Sequence, residues 1–269
     1  MSAEGRLYQW DPIKDTPHLY LRRRRANELT NSTGHSIGDA LDTRHPTLIK
    51  EAKALLETET IPQFVWPAAI PLCLWISTHR DEFEGKSVLE LGSGVGVGGM
   101  AALSTASPKV VVLSDCSLVS LAMMTCTLRQ WVGPGDGHLR QLKNSSVECA
   151  VAKLQWGHSA DLDQVKHGVF GVGGGLFDVV IGSDVFYFQK SLEDGLTTAH
   201  AALKTGGKFL CGSFVRSDRM EADLERVPSL HGFELGSVSV PASEEGWSTV
   251  HGEATEDDLA FRLYTWIKL

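Results

Sequence analysis

Three things are scarce in this sequence of 269 residues: paired cysteines, an excess of positive charge, and long apolar runs. The five cysteines, Cys73, Cys116, Cys126, Cys149 and Cys211, are odd in number and widely spaced, and no two form a C-x-x-C pair. That pattern excludes a disulfide framework or a structural zinc site and fits a reducing compartment. Lys and Arg total 25 against 33 Asp and Glu, a net charge of −8. Affinity for a phosphate backbone comes mainly from counterions released by Lys and Arg, so nucleic acid is not expected as the main partner. No apolar run approaches the roughly 20 residues of a membrane span, and the first thirty residues lack the apolar core of a signal peptide. A cytoplasmic protein without a membrane partner is expected. The arginine run from Arg22 to Arg25 leaves a nuclear address open against the plainer reading of a solvated strand end. The ten histidines show no metal spacing, and no metal is expected.

What is present centres on residues 88–97, VLELGSGVGV. A short apolar run carries an acid at Glu90, and then Gly92, Gly94 and Gly96 recur at every second place. This pattern predicts a buried strand running into a turn where side chains must be missing. Glycine serves there because it tolerates positive φ and lets a ligand approach the backbone.

Around this stretch the chain alternates. Residues 1–46 read as an N-terminal extension with a hairpin or two, and residues 47–269 as the main domain. Leu48, Ile49, Ala52, Leu55 and Leu56 follow helical spacing after Pro46. An apolar segment over 68–76 follows IPQFVWP at 61–67, with Pro71 expected to start its regular part or to kink it. Strands are predicted over 88–91, 110–113, 147–156, 177–182, 208–214, 233–240 and 260–268. Helices are predicted over 118–131, 190–204 and about 218–226. The glycine-rich stretches 133–137 and 168–175 read as loops. The last two strands have no crossover helix between them and must pair antiparallel. The order implies an α/β fold: a mostly parallel sheet, helices on both faces and an antiparallel C-terminal hairpin. In such a sheet the ligand sits at the carboxyl ends of the strands, where strand order reverses.

Two ligands suit the turn. Gly94, Gly96 and Gly99 satisfy G-x-G-x-x-G, and Asp115 stands about where a dinucleotide fold places its ribose acid, which would make the protein an NAD-dependent oxidoreductase. Against this, Glu90 precedes the glycines by two residues, the chain ends in a hairpin, and no second half repeats the βαβ pattern. S-adenosylmethionine fits better, having a ribose and a zwitterionic tail but no pyrophosphate.

Four further motifs carry a resemblance. S-D at 114–115, L-Q-W-G at 154–157, D-V-V-I-G-S-D-V-F-Y at 178–187 and F-V-W-P at 64–67 accompany E-L-G-S-G-V-G-V in the expected order. Together they resemble the seven-β-strand, Rossmann-like methyltransferases, and more narrowly the branch that methylates lysines of chaperones, elongation factors and calmodulin. The resemblance covers about residues 60–269. It implies that Gly92, Gly94 and Gly96 line the cofactor, that Glu90 holds its amino group directly or through water, and that Asp115 accepts both ribose hydroxyls. It places Cys116 and Trp156 beside the adenine, Trp66 near the methionine tail and Ser183 at the reactive end. Asp184 and Tyr187 would form the D-x-x-Y element on the acceptor side, with Tyr187, Phe186 or Phe188 able to hold a methylated cation. The activity implied is methylation of a lysine in a protein, a chaperone or translation factor among the candidate partners. The alternatives are methylation of a small amine such as nicotinamide, or a binding module that keeps the fold without turnover.

Overall fold

The computed structural model describes residues 8–13, 16–24, 65–129, 131–133, 139–172, 174–186, 189–239 and 260–269. The helix expected after Pro46, residues 61–64 and most of the glycine-rich stretch at 133–137 lie outside the described residues. In the N-terminal segment β1 (Tyr8–Ile13) and β2 (Thr16–Arg24) pair antiparallel as a two-stranded sheet.

The main domain then runs α1 (Ala69–Thr78), β3 (Ser87–Leu91), α2 (Val97–Thr105), β4 (Val110–Asp115), α3 (Leu118–Leu128), β5 (Arg140–Gln141), β6 (Glu148–Lys153) and α4 (Ser159–Phe170). It continues with β7 (Phe177–Ser183), α5 (Gln189–Ala202), β8 (Leu203–Phe214), α6 (Asp218–Leu230), β9 (Phe233–Ser239) and β10 (Phe261–Lys268). Eight strands form one sheet in the order β5-β6-β4-β3-β7-β8-β10-β9. Strands β6, β4, β3, β7 and β8 are parallel, β10 is antiparallel to both β8 and β9, and β5 is an antiparallel edge. The eighth strand, beyond the seven expected, is the two-residue β5, too short to leave a pattern in the sequence.

Every residue of β3 and the first five of β4 are buried, which is why these strands read as unbroken apolar runs. Alternation sends Val88, Val111, Val179 and Leu210 to one layer with α1, α2 and α3. Leu89, Val112, Val180 and Phe209 go to the other layer with α4, α5 and α6. The chain leaves β3 toward β4 and β6, then returns to β7 on the other side of β3. The topological switch therefore falls between β3 and β7, at the mouth of the glycine turn.

Several boundaries differ from expectation for identifiable reasons. Helix α4 reaches Phe170, through the start of the stretch read as a loop, and only Leu162 and Val165 are buried along it, too few for a visible apolar face. Helix α5 ends at Ala202 and β8 begins at once. Gly206, just past the helix predicted over 190–204, has φ +74° within a bulge of β8, where the pairing with β7 shifts between Phe177 and Val179. Pro71 lies in the first turn of α1, where helical N–H groups have no intrahelical acceptor to lose. Among the described residues no helix is long and apolar enough to cross a membrane.

At the amino ends of the strands, Asp178 ties two elements together. Its Oδ2 accepts from the Ser87 amide (2.8 Å) and hydroxyl (2.7 Å), and its Oδ1 pairs with Lys204 Nζ at 2.7 Å. A cleft of about 320 Å³ opens there between Asp178, Lys204 and Lys208, at the opposite pole of the sheet from the glycine turn.

Candidate cofactor and acceptor site

The turn after β3 is left-handed at all three glycines, with φ of +59° at Gly92, +54° at Gly94 and +82° at Gly96. It is closed by the Gly96 amide donating to Ser93 O at 2.7 Å. Two serines bind it to β4. The Ser93 amide donates to Ser114 O (2.9 Å), the Ser114 amide to Ser93 Oγ (2.9 Å) and the Ser114 hydroxyl to Glu90 O (2.5 Å).

The glycines differ in what surrounds them. A Cβ on Gly92 would lie 3.0 Å from both Trp156 Cζ2 and Val185 Cγ1, and one on Gly96 3.1 Å from Leu113, Met100 and Met124. Among the described residues, a Cβ on Gly94 would meet no atom within 4 Å. Packing is therefore tight around Gly92 and Gly96, both left-handed, whereas Gly94 has space beside it among the described residues. Gly94→Ala is expected to cost about 1–2 kcal/mol of stability through its left-handed backbone, and to weaken cofactor binding about tenfold or more. Calorimetric titration with S-adenosylhomocysteine checks this; unchanged affinity would mean that no ligand occupies the space above Gly94.

Asp115 closes the same turn from β4. Its Oδ2 accepts the Gly94 amide and its Oδ1 the Ser117 amide, both at 2.9 Å. Burial pushes its pKa up, with the amides of Ser117 and Gly94 opposing that shift. The Ser120 hydroxyl and the Cys116 amide also hold the charged form, and the two oxygens of a carboxylate suit a vicinal diol. Cys116, the next residue, is exposed.

Glu90 is only 3% exposed and lies beneath the first turn of α2. A Cβ on Gly98 would collide with its Oε1, and one on Gly99 would come within 2.9 Å of its Oε2 and collide with Leu113. The glycine that completes the dinucleotide-like spacing is thus required by the packing of Glu90 and Leu113. Burial raises the Glu90 pKa to about 7, with the Gly99 amide, the Ser93 hydroxyl and the Gly98 amide pulling it down and Asp115 adding to the rise. Even so, Oε2 has no partner at hydrogen-bonding geometry among the described residues.

Trp156 lies against Gly92 and packs edge-on to Phe186, with ring centroids 6.0 Å apart and planes at 62°. Trp66 is half-buried just before α1, its carbonyl accepting the Ala69 amide at 3.0 Å. The neighbouring Ala68 carbonyl lies beside Gly212 of β8, which puts the W-P segment near the carboxyl ends of the strands. Ser183 closes β7 opposite Gly212, and its hydroxyl oxygen is buried without a partner among the described residues. Such an orphan beside an open turn is where a ligand group would be received.

Asp184 follows in a left-handed conformation, φ +53°, unusual for a residue with a side chain. Its amide donates to Gly212 O at 2.7 Å, and its wholly buried carboxylate is held in a two-pronged pair by Arg216. Arg216 Nη1 donates to Oδ1 at 2.8 Å and Nη2 to Oδ2 at 2.5 Å. The sequence reading did not single out Arg216; its partner is 32 residues away, and only the adjacency of β7 and β8 joins them. Tyr187 and Phe188 lie outside the described residues. Phe186, read as able to hold a methylated cation, is instead a core residue, 5% exposed and packed against Trp156, Phe209 and Trp266.

A left-handed glycine turn, an acid on the next strand bound to that turn and a second acid across the switch point define an α/β domain of the S-adenosylmethionine-dependent methyltransferase class. The fold agrees with that of the [4+2]-cyclase SpnF at a TM-score of 0.52, over 74% of this chain and 80% of that one, with 12% identity. Residues 50–227 match the lysine methyltransferase family, and the chain belongs to it. It is 26% identical to the histone-arginine methyltransferase METTL23 of Mus musculus over 183 residues, 66% of this chain and 61% of that protein. It is 30% identical to the protein N-lysine methyltransferase METTL21A of Danio rerio over 164 residues, 61% of this chain and 65% of that protein. The match thus spans somewhat less than two thirds of either relative. Membership of this family sets aside the nicotinamide dinucleotide reading.

Proposed function

We propose that the protein transfers a methyl group from S-adenosylmethionine to a lysine side chain of a protein substrate. The observation that carries this is the placing of two acids at the carboxyl ends of the strands that flank β3, Asp115 closing β4 beside the glycine turn and Asp184 directly after β7. Bound S-adenosylmethionine supplies an electrophilic methyl on a sulfonium. Asp115 holds the ribose hydroxyls and Gly94 leaves room above the turn, with Cys116 and Trp156 flanking the adenine. Trp66 and Ser183 lie on the methionine side, and Glu90 supports the turn from beneath α2.

A free lysine has a pKa of about 10.4 and must present a neutral lone pair along the line of the sulfonium bond. Asp184 orients the incoming amine, and Tyr187 completes the acceptor side. The acceptor is a lysine-bearing protein of the cytoplasm, with chaperones and translation factors as first candidates. A second reading, arginine as the acceptor, is favoured by the name of METTL23 and by the guanidinium that Asp184 already grips in this structure.

Incubation with tritiated S-adenosylmethionine and a cell lysate, followed by acid hydrolysis and amino-acid chromatography, tests all of these. Label in methyl-lysine supports the proposal and label in methylarginine the second reading. Label confined to the small-molecule fraction would point to a nicotinamide-like amine. Asp184→Asn is expected to lower kcat/KM for the acceptor about tenfold or more, with cofactor affinity within about twofold of wild type. Loss of both together would remove Asp184 from the acceptor side.

A further inference from the structure

We propose that Arg216 is a positioning residue for methyl transfer, holding Asp184 in the geometry that receives the acceptor; this rests on the reading of Asp184 as an acceptor-side group. The case starts from backbone strain. A non-glycine residue in the left-handed region costs on the order of 1 kcal/mol or more and persists where its surroundings over-determine it. At Asp184 two contacts do so: its amide is bound to Gly212 O, and its carboxylate is gripped by both nitrogens of the Arg216 fork.

Arg216 is itself fixed from both sides. Val215 donates its amide to Ala260 O at 3.0 Å, and Ser217 caps α6 by accepting the Met220 amide at 3.2 Å. Its Nη1 also reaches Phe214 O at 3.3 Å. The guanidinium is therefore anchored at the end of β8, while about a third of its surface remains exposed.

What Arg216 holds connects to the cofactor. Val185, next after Asp184, would touch a Cβ on Gly92 at 3.0 Å, and Phe186 is locked into the aromatic core. Releasing Asp184 would let its backbone leave the left-handed region while Val185 and Phe186 stay anchored. The damage should fall on acceptor use, with the donor pocket preserved. A lysine at 216 keeps the charge but cannot reproduce the planar fork.

The test compares the full-length wild type with Arg216→Ala and Arg216→Lys. Initial rates of tritium transfer from S-adenosylmethionine into whole-lysate protein are measured at varied donor and lysate concentrations. Donor-site affinity is measured separately with S-adenosylhomocysteine by calorimetry, and thermal midpoints are recorded. Arg216→Ala should lose about tenfold or more in acceptor kcat/KM with donor affinity within about twofold, and millimolar guanidinium chloride should restore part of the rate where equal sodium chloride does not. Arg216→Lys should remain impaired. Wild-type rates in either variant, a faster rate in Arg216→Ala, failure of guanidinium to rescue, or parallel loss of donor affinity and thermal stability in both variants would each overturn the proposal. If the wild type itself transfers no label to protein while binding S-adenosylhomocysteine normally, the acceptor reading fails first and the role of Arg216 falls with it.

Discussion

Asp115→Ala is expected to weaken S-adenosylhomocysteine binding about a hundredfold, equivalent to about 2.7 kcal/mol. The carboxylate is already held by the Gly94 and Ser117 amides at 2.9 Å each, so on the proposed reading it would meet the ribose hydroxyls with little further ordering to be done. Hydrogen bonds to a charged group contribute about 1.5–3 kcal/mol each, so loss of even one strong ribose contact accounts for most of the effect. Alanine also leaves the Gly94 amide without its acceptor, and that amide belongs to the residue with open space above it. Asp115→Asn keeps one acceptor oxygen and should fall between the two. Isothermal titration measures all three, and equal affinities would remove Asp115 from the cofactor site.

The second large effect concerns Glu90 and pH. Burial holds its folded-state pKa at about 7 against an ordinary 4.5. The native protein therefore keeps this proton where the unfolded chain has already released it. The stabilisation from the protonated form is complete below about pH 4.5 and is lost as pH rises toward about 7; integrated over that window it amounts to roughly 3 kcal/mol at most. Glu90→Gln cannot lose the proton, so its stability should change less over this range and exceed that of the wild type near about pH 8, by some 5 °C or more in Tm. Asp115, whose pKa is also raised by burial and which is coupled to Glu90, titrates in both proteins, so the difference between them reports Glu90 together with that coupling. Urea midpoints for both proteins, collected at intervals between about pH 5 and pH 8, check this. A constant difference across the series would show that Glu90 is not the group that titrates.

Much of this was legible beforehand because it is local. The apolar run into Gly92, the acid closing β4 and the D-V-V-I-G-S-D stretch of β7 are contiguous segments whose period and turn residues depend on few distant contacts. Tertiary packing decided the rest. Strand alternation places Glu90 on the same side of β3 as Val88, toward α1 and α2, so its carboxylate lies under Gly98 and Gly99. Phe186 stands among residues suited to an acceptor pocket, yet the aromatics of β8 and β10 claim it. Helix α4 escaped because a helix largely exposed to water needs few apolar residues, and Arg216 because its meaning lies in a strand neighbour.

The place of β10 in the sheet also bears on how the chain is made. Strand β9 is paired to β10 and β10 to β8, so β8 has no partner on that side until residues 261–268 have been synthesised. During translation the sheet carries an open edge whose buried face includes Phe209 and Cys211. Sheet closure therefore waits for residues 261–268, and the nascent domain is exposed to edge-to-edge aggregation until then. A ribosome stalled before residue 261 would present that edge and would leave Phe209 without Trp266, which packs against it with ring centroids 5.2 Å apart.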